Sequence, residues 1–149
     1  LALYGYSPFL EEDENLGLKP ALSLKAKVTL IRDVPKGVGV SYGHIFTTNR
    51  RSRLAVVSVG YADGVPRILS GKISALFKGQ LLPQVGSITM DQLIVDATDC
   101  PEVEVGSVLT FLGSDGDFSI TTHQWSKLSG LIPWEILCGF KHRLPRVIV

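Results

Sequence analysis

The chain has 149 residues, and its 15 Lys and Arg against 14 Asp and Glu give a formal net charge of +1. The basic residues are scattered and form no stripe that could follow a phosphate backbone, which excludes nucleic acid as an expected partner. No run of about 18 apolar residues occurs, so the sequence predicts no membrane span and no membrane partner. This length predicts one domain with its own core.

The two cysteines, Cys100 and Cys138, show no CxxC spacing and no histidines at metal-ligand intervals. We therefore expect two free thiols, a reducing and cytoplasmic location, and no metal site. Signal-peptide features are absent from the N-terminus. The chain opens without Met on an apolar segment, Leu1 to Tyr4, which is typical of the middle of a packed element and predicts a larger parent protein.

The first strand signal lies between residues 22 and 31, where apolar and polar residues alternate. This period of two predicts a half-buried strand. The residues expected to face the core are Leu22, Leu24, Ala26, Val28 and Leu30. Turn chemistry follows at residues 33–37, where Pro35 fixes φ and Gly37 can take a positive φ, and we expect a hairpin-like reversal there.

Further β-rich runs are separated by Gly, Pro, Asp or Ser at short intervals. They span residues 54–59, 73–77, 81–85, 92–95 and 107–112. This spacing predicts a mainly β fold, a small closed Greek-key-like β-barrel with one or two short helices. One helix is expected over residues 121–128, capped by Thr121 or Thr122 and ended by Gly130, and a shorter one from Pro133 to Cys138.

Three segments hold polar residues that strand patterning does not explain. They are residues 41–44, 59–67 and 86–92, and turn-forming residues flank each of them. Each segment alone is more often a simple turn than a functional site. Together they are the candidates for a site built on loops.

Taken in order and spacing, these segments resemble the C-terminal domain of alanine racemases. The matching segments are Leu3-Tyr-Gly5, Ser23-Leu-Lys25, Tyr42-Gly43, Gly60-Tyr-Ala-Asp-Gly64, Met90-Asp-Gln92 and Leu144-Pro-Arg146. The resemblance covers essentially the whole chain. It implies an N-terminal (β/α)₈ barrel that holds pyridoxal phosphate on a lysine outside this chain, and a head-to-tail homodimer whose sites combine one subunit's barrel with the partner's β-domain.

The resemblance also implies the reaction, which is the interconversion of L- and D-alanine with pyridoxal phosphate as electron sink. Tyr42 would be the base that acts on the L-enantiomer, and the opposing lysine would lie in the N-terminal barrel. A phenol with a pKa of about 10 is a weak base near neutral pH, so this role requires a cationic or hydrogen-bonding neighbour. The family has that neighbour in its barrel domain, so the chain alone is expected to be inactive.

Four more residues are implied to bind substrate. Met90 would offer its backbone N–H to the substrate carboxylate, and Asp91 would hold the loop so that this amide points into the site. Tyr61 would limit the size of the entrance, while Arg67 would attract an anionic amino acid.

Two cofactor contacts are implied, the backbone amide of Leu1 and the side chain of Trp134. Trp134 stands where the family commonly has a tyrosine that donates to the cofactor phosphate, and Ser87 stands where an arginine is common. An indole offers one N–H but differs in reach and bulk. These departures leave the substrate open, with a related amino acid such as serine as the alternative to alanine.

Two other functions remain open at this stage. A related decarboxylase shares the two-domain architecture but supplies a cysteine from this half, and no cysteine occurs in the candidate loops. A non-catalytic β-barrel binding or assembly module is the third hypothesis. The histidines are expected to have solvated or structural roles, with His44 near the entrance, His123 on an exposed helix face and His142 in a basic terminal run.

Overall fold

The computed structural model describes residues 2–7 and 17–148. Short antiparallel strands form most of the regular structure, with two helices after the last strand. The strands are β1 (Leu24–Val34), β2 (Gly39–Val40), β3 (Phe46–Thr47), β4 (Ser52–Val57), β5 (Ser74–Phe77), β6 (Gln80–Val85), β7 (Leu93–Asp96), β8 (Val108–Asp115) and β9 (Phe118–Ile120). The helices are α1 (Thr122–Ser129) and α2 (Pro133–Gly139), and short 3₁₀ turns occupy Ala2–Tyr4, Tyr42–His44, Tyr61–Asp63 and Arg67–Leu69.

Seven strands form one sheet in the order β1-β4-β7-β6-β5-β8-β9, and β1 also pairs with β8. Because β1 pairs with β8 as well as with β4, the six strands from β1 to β8 in this order form a ring. Strand β9 pairs with β8 and extends the sheet beyond the ring. The strand pairing of β5 with β8 consists of the single residue pair Leu76 and Thr110. The mainly β barrel with short helices is therefore confirmed, with one loosely paired seam. The hairpin β2–β3 stands apart as a separate two-stranded sheet.

The alternation predicted for β1 holds only in its first half. Val28 pairs with Val57 but Leu30 pairs with Val56, so Thr29 is one extra residue on β1, a β-bulge. A shift of one residue exchanges the two faces of a strand. Leu30 is consequently 42% exposed, while Ile31 packs against the core. The prediction that Leu30 faces the core was wrong.

The barrel interior is apolar and tightly buried. Its fully buried large side chains include Phe111, Leu76, Leu93 and Leu109. The helix α1 adds Trp125, whose ring lies 6.4 Å from that of Phe140. Burial of this apolar surface stabilises the domain at about 25 cal/mol per Å². The core therefore fills the barrel and continues beneath the two helices.

Both predicted helices are present, and the end signals of α1 explain its bounds. Thr121 caps the helix by accepting a hydrogen bond from the Gln124 backbone N–H, and the Gln124 side chain accepts one from the Thr121 N–H at 2.9 Å. Gly130, with φ of 78°, ends it in the left-handed conformation. His123 is only 6% exposed, so its prediction as an exposed residue was wrong.

The N-terminal segment packs against α1 beside the buried His123. The ring of Tyr6, itself buried, lies 6.1 Å from the imidazole of His123. Burial raises the pKa of the Tyr6 phenol. Glycine at position 5 lets the N-terminal segment run close to the backbone of Lys19, because a Cβ there would lie 1.7 Å from the Lys19 carbonyl oxygen.

The two cysteines are both free, as predicted. Cys100 is buried in the core and Cys138 is exposed, and burial raises the pKa of the Cys100 thiol. Within residues 2–7 and 17–148, no helix has the length and apolar character needed to cross a membrane. The acidic residues 11–14 lie outside the described residues.

Candidate functional site

One end of the barrel carries an open depression of about 790 Å³, formed where three loops meet. The loops are the turn Tyr42–His44, the turn Tyr61–Asp63 with the residues after it, and residues 86–92. The residues that line the depression are Tyr42, Tyr61, Arg67, Ile88, Thr89, Met90, Asp91 and Gln92. The fold thus brings together all three segments that the sequence singled out.

Five of the seven predicted site residues line this depression, although they are spread over 50 positions of the chain. Trp134 is not among the lining residues. It is the second residue of α2 and its side chain is partly exposed. Leu1 lies outside the described residues. The geometry therefore groups the predicted catalytic and substrate-binding residues, and the two predicted cofactor contacts stay predictions.

Tyr42 stands out from the surface at the tip of the β2–β3 hairpin. Its side chain is 73% exposed, and its phenolic oxygen forms no hydrogen bond within the described part of the chain. The backbone around it takes left-handed values, with φ of 62° at Ser41, 72° at Gly43 and 45° at His44. Non-glycine residues persist in this region only where surrounding structure holds them.

Two serines supply that support by exchanging hydrogen bonds between the Tyr42 turn and residues 86–92. The Ser41 hydroxyl donates to the Ser87 carbonyl, and the Ser87 hydroxyl donates to the Tyr42 carbonyl, both at 2.8 Å. Gly86 allows the close approach, because a Cβ there would lie 2.7 Å from the Val40 carbonyl oxygen. Ser87 is 4% exposed, so the residue that departs from the resemblance serves here as a buried brace for Tyr42.

The second loop, residues 60–64, is joined to the third by backbone hydrogen bonds. The Tyr61 N–H donates to the Thr89 carbonyl at 2.9 Å, and the Ala62 N–H donates to the Met90 carbonyl at 3.0 Å. A Cβ on Gly60 would lie 2.3 Å from the Thr89 carbonyl oxygen and 2.4 Å from that of Met90. Only glycine fits there, which explains why the motif Gly60-Tyr-Ala-Asp-Gly64 begins with glycine.

A charged bridge adds a fourth segment, the residues after α2. Asp63 is buried and accepts a hydrogen bond from the Gly60 N–H at 2.9 Å. Arg143 lies with its Nε 3.3 Å from the Asp63 carboxylate and donates from Nη2 to the Asp91 carboxylate. The hydrogen bond with Asp91 raises the pKa of the Arg143 guanidinium. Arg143 was not among the residues predicted from the sequence, because it stands in no motif or spacing that points to the site.

Arg67 is held by its backbone while its side chain stays exposed. The Ser70 hydroxyl donates to the Arg67 carbonyl at 2.6 Å and accepts from the Ile88 N–H at 2.9 Å. The buried Gln84 accepts from the Gly71 N–H at 2.6 Å and donates to the Gly86 carbonyl at 2.9 Å. The Arg67 turn is thus fixed to residues 86–92. Its guanidinium forms no ion pair with a described residue.

The depression offers groups that suit a small anionic ligand and a proton transfer. The Met90 backbone N–H has no hydrogen-bond partner among residues 2–7 and 17–148, so it is available as a donor. With the Arg67 guanidinium it can meet a carboxylate, and the Tyr42 phenol is available to exchange a proton. Among the described residues, no lysine lines the depression. Over the described ranges, no group of three or more His, Cys, Asp or Glu could hold a metal ion.

This donor set fits the amino-acid substrate of a pyridoxal phosphate enzyme, and the groups that hold the cofactor would come from outside the lining residues. The phenol and the free amide face an open depression, whereas a lysine for covalent attachment would have to come from outside the lining residues. The loop 60–64 is packed against α2, since a Cβ on Gly64 would lie 2.5 Å from the Gly139 carbonyl oxygen. Neither cysteine lines the depression, which disfavours the decarboxylase hypothesis.

Comparison with known proteins identifies relatives over the full length of the chain. The family model described as alanine racemase, C-terminal domain, matches residues 21–148. The alanine racemase of Prochlorococcus marinus is 62% identical over 149 residues, and that of Synechocystis sp. is 50% identical over 149 residues. The chain covers 39% of the first protein and 40% of the second, so it spans about two fifths of their length.

Solved structures agree with these relatives. The alanine racemase from Bacillus anthracis with bound L-Ala-P matches with a TM-score of 0.91 and 38% identity, over 99% of this chain and 38% of that one. The enzyme from Bartonella henselae with covalently bound pyridoxal phosphate matches with a TM-score of 0.90 and 38% identity, over 99% of this chain and 40% of that one. The chain therefore belongs to the alanine racemase family, as its C-terminal domain.

Proposed function

We propose that this domain supplies half of the active site of a pyridoxal-phosphate-dependent racemase that interconverts L- and D-alanine. The observation that carries the proposal is the exposed phenol of Tyr42, which has no hydrogen-bond partner among the described residues and stands on a braced turn beside an open depression. A side chain held this way is suited to act on a substrate bound outside its own domain.

Within this site Tyr42 exchanges the proton at the α-carbon on one face of the substrate. A base on the opposite face is required for inversion, and a lysine outside this chain fits that role. The Met90 N–H meets the substrate carboxylate, Arg67 attracts it towards the entrance, and Tyr61 limits the size of the side chain admitted. Asp91 follows Met90 directly and holds the loop so that the Met90 N–H points into the site.

Pyridoxal phosphate, when bound, supplies the electron sink that makes the α-proton acidic enough to remove. The related enzyme from Bartonella henselae holds this group covalently, which supports the same cofactor here. Two residues of this chain are assigned to its phosphate, Trp134 through the indole N–H and Leu1 through the backbone amide.

The remaining partners are proposed from the family to which the chain belongs and from the share of its relatives that it covers. The chain spans only about two fifths of the relatives it matches, so the activity belongs to a longer protein with an N-terminal barrel. We assign the phenol of Tyr42 to the site of a second, identical subunit in a head-to-tail homodimer, working in the cytoplasm. Membership of the alanine racemase family, and not the unpaired phenol, guanidinium and amide alone, disfavours a non-catalytic binding module, because those three groups would also suit simple binding of an anion.

The test compares the full-length protein with its Tyr42→Phe variant. We expect kcat for racemisation to fall by about 10² to 10⁴, the usual contribution of a positioned acid–base group. Solvent deuterium should still enter D-alanine at its α-carbon, because the opposite base remains. Tyr4→Phe is the matched control, since Tyr4 is also exposed but lies outside the depression.

The result that would contradict the proposal is unchanged racemisation in Tyr42→Phe. L-Serine measured in parallel with L-alanine decides the substrate, because Trp134 and Ser87 are the two residues that depart from the family pattern. If kcat/KM is higher for L-serine than for L-alanine, serine replaces alanine as the proposed substrate, and the proposed racemisation stands.

A further inference from the structure

We infer that Arg143 is a positioning residue of this site, one that fixes the substrate-contacting loop by bridging two carboxylates from different loops. The inference rests on the proposed function and deepens it. Its basis is the chain of contacts from Gly60 through Asp63 and Arg143 to Asp91.

The two carboxylates have very different surroundings. The Asp63 side chain is 7% exposed and the Asp91 side chain is 58% exposed. Asp63 already accepts the Gly60 N–H with one oxygen, and its other oxygen faces Arg143 Nε. Arg143 is thus anchored on its inner side by a buried, hydrogen-bonded group. Its outer side is left to hold the exposed partner, Asp91.

The bridge needs the fork of a guanidinium. Nε contacts Asp63 while Nη2 contacts Asp91, so two nitrogens in one rigid plane serve two acceptors. A lysine carries one point charge and meets both acceptors only by compromising the geometry of each. Arg143→Lys therefore keeps the charge but weakens the bridge.

Position is transmitted to the substrate through Met90, whose N–H belongs to the Thr89–Met90 peptide, one peptide before the bond to Asp91. The Met90 carbonyl is held by the Ala62 N–H at 3.0 Å, and Asp91 is held by Arg143 on the next residue. Because these contacts fix the chain just after the Met90 N–H, they help to set the direction in which that amide points. Loss of the bridge removes the side-chain anchor of Asp91 and loosens this segment, while the backbone hydrogen bonds to the Met90 and Gln92 carbonyls and the barrel core remain.

A second effect of Arg143 is electrostatic and can be separated from the first. Asp91 lines the same depression as Arg67, and an unpaired carboxylate there would repel the carboxylate of an amino acid. Arg143 neutralises that charge. Removing the Asp91 charge as well as Arg143 abolishes the repulsion but does not restore the bridge.

The experiment uses the full-length protein and four variants, Arg143→Ala, Arg143→Lys, Asp91→Asn and the double variant Arg143→Ala/Asp91→Asn. We expect Arg143→Ala to raise KM for L-alanine about tenfold while kcat changes less than about threefold, because substrate placement suffers more than the proton transfer. The double variant should keep most of the raised KM. Arg143→Lys should lie between Arg143→Ala and the unmodified protein.

The matched control is the exposed ion pair between Arg50 and Asp99, which lies outside the depression. Arg50→Ala should leave KM and kcat within about twofold, as expected for a surface pair. Hydrogen exchange gives a readout that does not depend on activity. Amides in residues 86–92 should exchange faster in Arg143→Ala and be unchanged in Arg50→Ala.

Two outcomes would overturn the inference. If the double variant has the KM of the unmodified protein, Arg143 acts only by neutralising the charge of Asp91 and does not position the loop. If Arg143→Ala behaves like Arg50→Ala in both assays, Arg143 has no role in the site. If the unmodified protein does not racemise alanine, the proposed function itself fails. The hydrogen-exchange comparison still decides whether Arg143 orders the loop.

Discussion

The barrel interior and its loop end are held together by different forces. Residues such as Val57, Leu93 and Phe111 are completely buried and pack through apolar side chains. At the loop end, buried polar groups such as Ser87 and Asp63 join segments that lie far apart in the sequence. Apolar burial is non-directional, whereas a hydrogen bond requires a particular atom at a particular place.

Because of this difference, we expect some substitutions to change mainly the stability of the domain and others to change mainly the activity of the site. A core substitution lowers the free energy of unfolding but leaves the folded molecules with an intact site. A substitution in a loop brace changes the position of Tyr42 or Met90 while most of the core stays packed. Substitutions at both ends of the barrel can test that separation, from the largest expected effect to the smallest.

Phe111→Ala should give the largest loss of stability. Phe111 is completely buried in β8, and removing a buried phenyl ring costs about 3 to 5 kcal/mol. Denaturant unfolding of the 149-residue chain measures it. Phe118→Ala is the control, because Phe118 is 53% exposed. Equal losses in the two variants would contradict the assignment of Phe111 to the barrel core.

Gly60→Ala should damage both properties, since it lies where core and loops meet. The added Cβ would overlap the carbonyl oxygens of Thr89 and Met90, and relieving such overpacking costs about 1 to 3 kcal/mol. In the full-length protein the displaced loop should lower kcat/KM by at least about tenfold. Gly139→Ala is the control, because its nearest neighbour would lie at 3.4 Å. Similar kinetics in both variants would remove the steric argument.

Much of the barrel could be predicted from the sequence because strand period and turn residues are local signals. The strands near residues 54, 73, 81, 92 and 107 all lie close to where the pattern indicates them. The Thr121 cap and Gly130 likewise indicated the bounds of α1. Burial of His123 could not be predicted this way, because its surroundings include Tyr6, a residue more than 100 positions away.

The site shows the same division between local and long-range information. Tyr42, Tyr61 and Met90 stand in motifs that resemble a known family, so they could be named from the sequence. The contacts that orient them do not follow from any spacing. Ser87 contacts the Tyr42 turn 45 residues away, and Arg143 contacts Asp91 over 52 residues. Such pairs become visible only when the loops are seen side by side.

Ser87→Ala should have a moderate effect that falls mainly on activity. The variant removes the hydrogen bond to the Tyr42 carbonyl, and a single bond of this kind is worth about 1 kcal/mol. We expect kcat of the full-length protein to fall about fivefold, since about 1.4 kcal/mol corresponds to a factor of ten. Ser58→Ala is the control, because the Ser58 hydroxyl also donates to a backbone carbonyl, that of Lys27 at 3.3 Å, away from the depression. An equal fall in both variants would argue against a specific brace.

The smallest effect is expected at the β-bulge, where neighbouring residues give opposite results. Leu30→Thr should change the free energy of unfolding by no more than about 0.5 kcal/mol, because the side chain is exposed and threonine suits a strand. Ile31→Thr should cost about 1 to 2 kcal/mol, because Ile31 packs against the core. Unfolding of the 149-residue chain in urea compares them directly. Since unbroken alternation would put Leu30 inside and Ile31 outside, the reverse ranking would mean that β1 carries no bulge at Thr29.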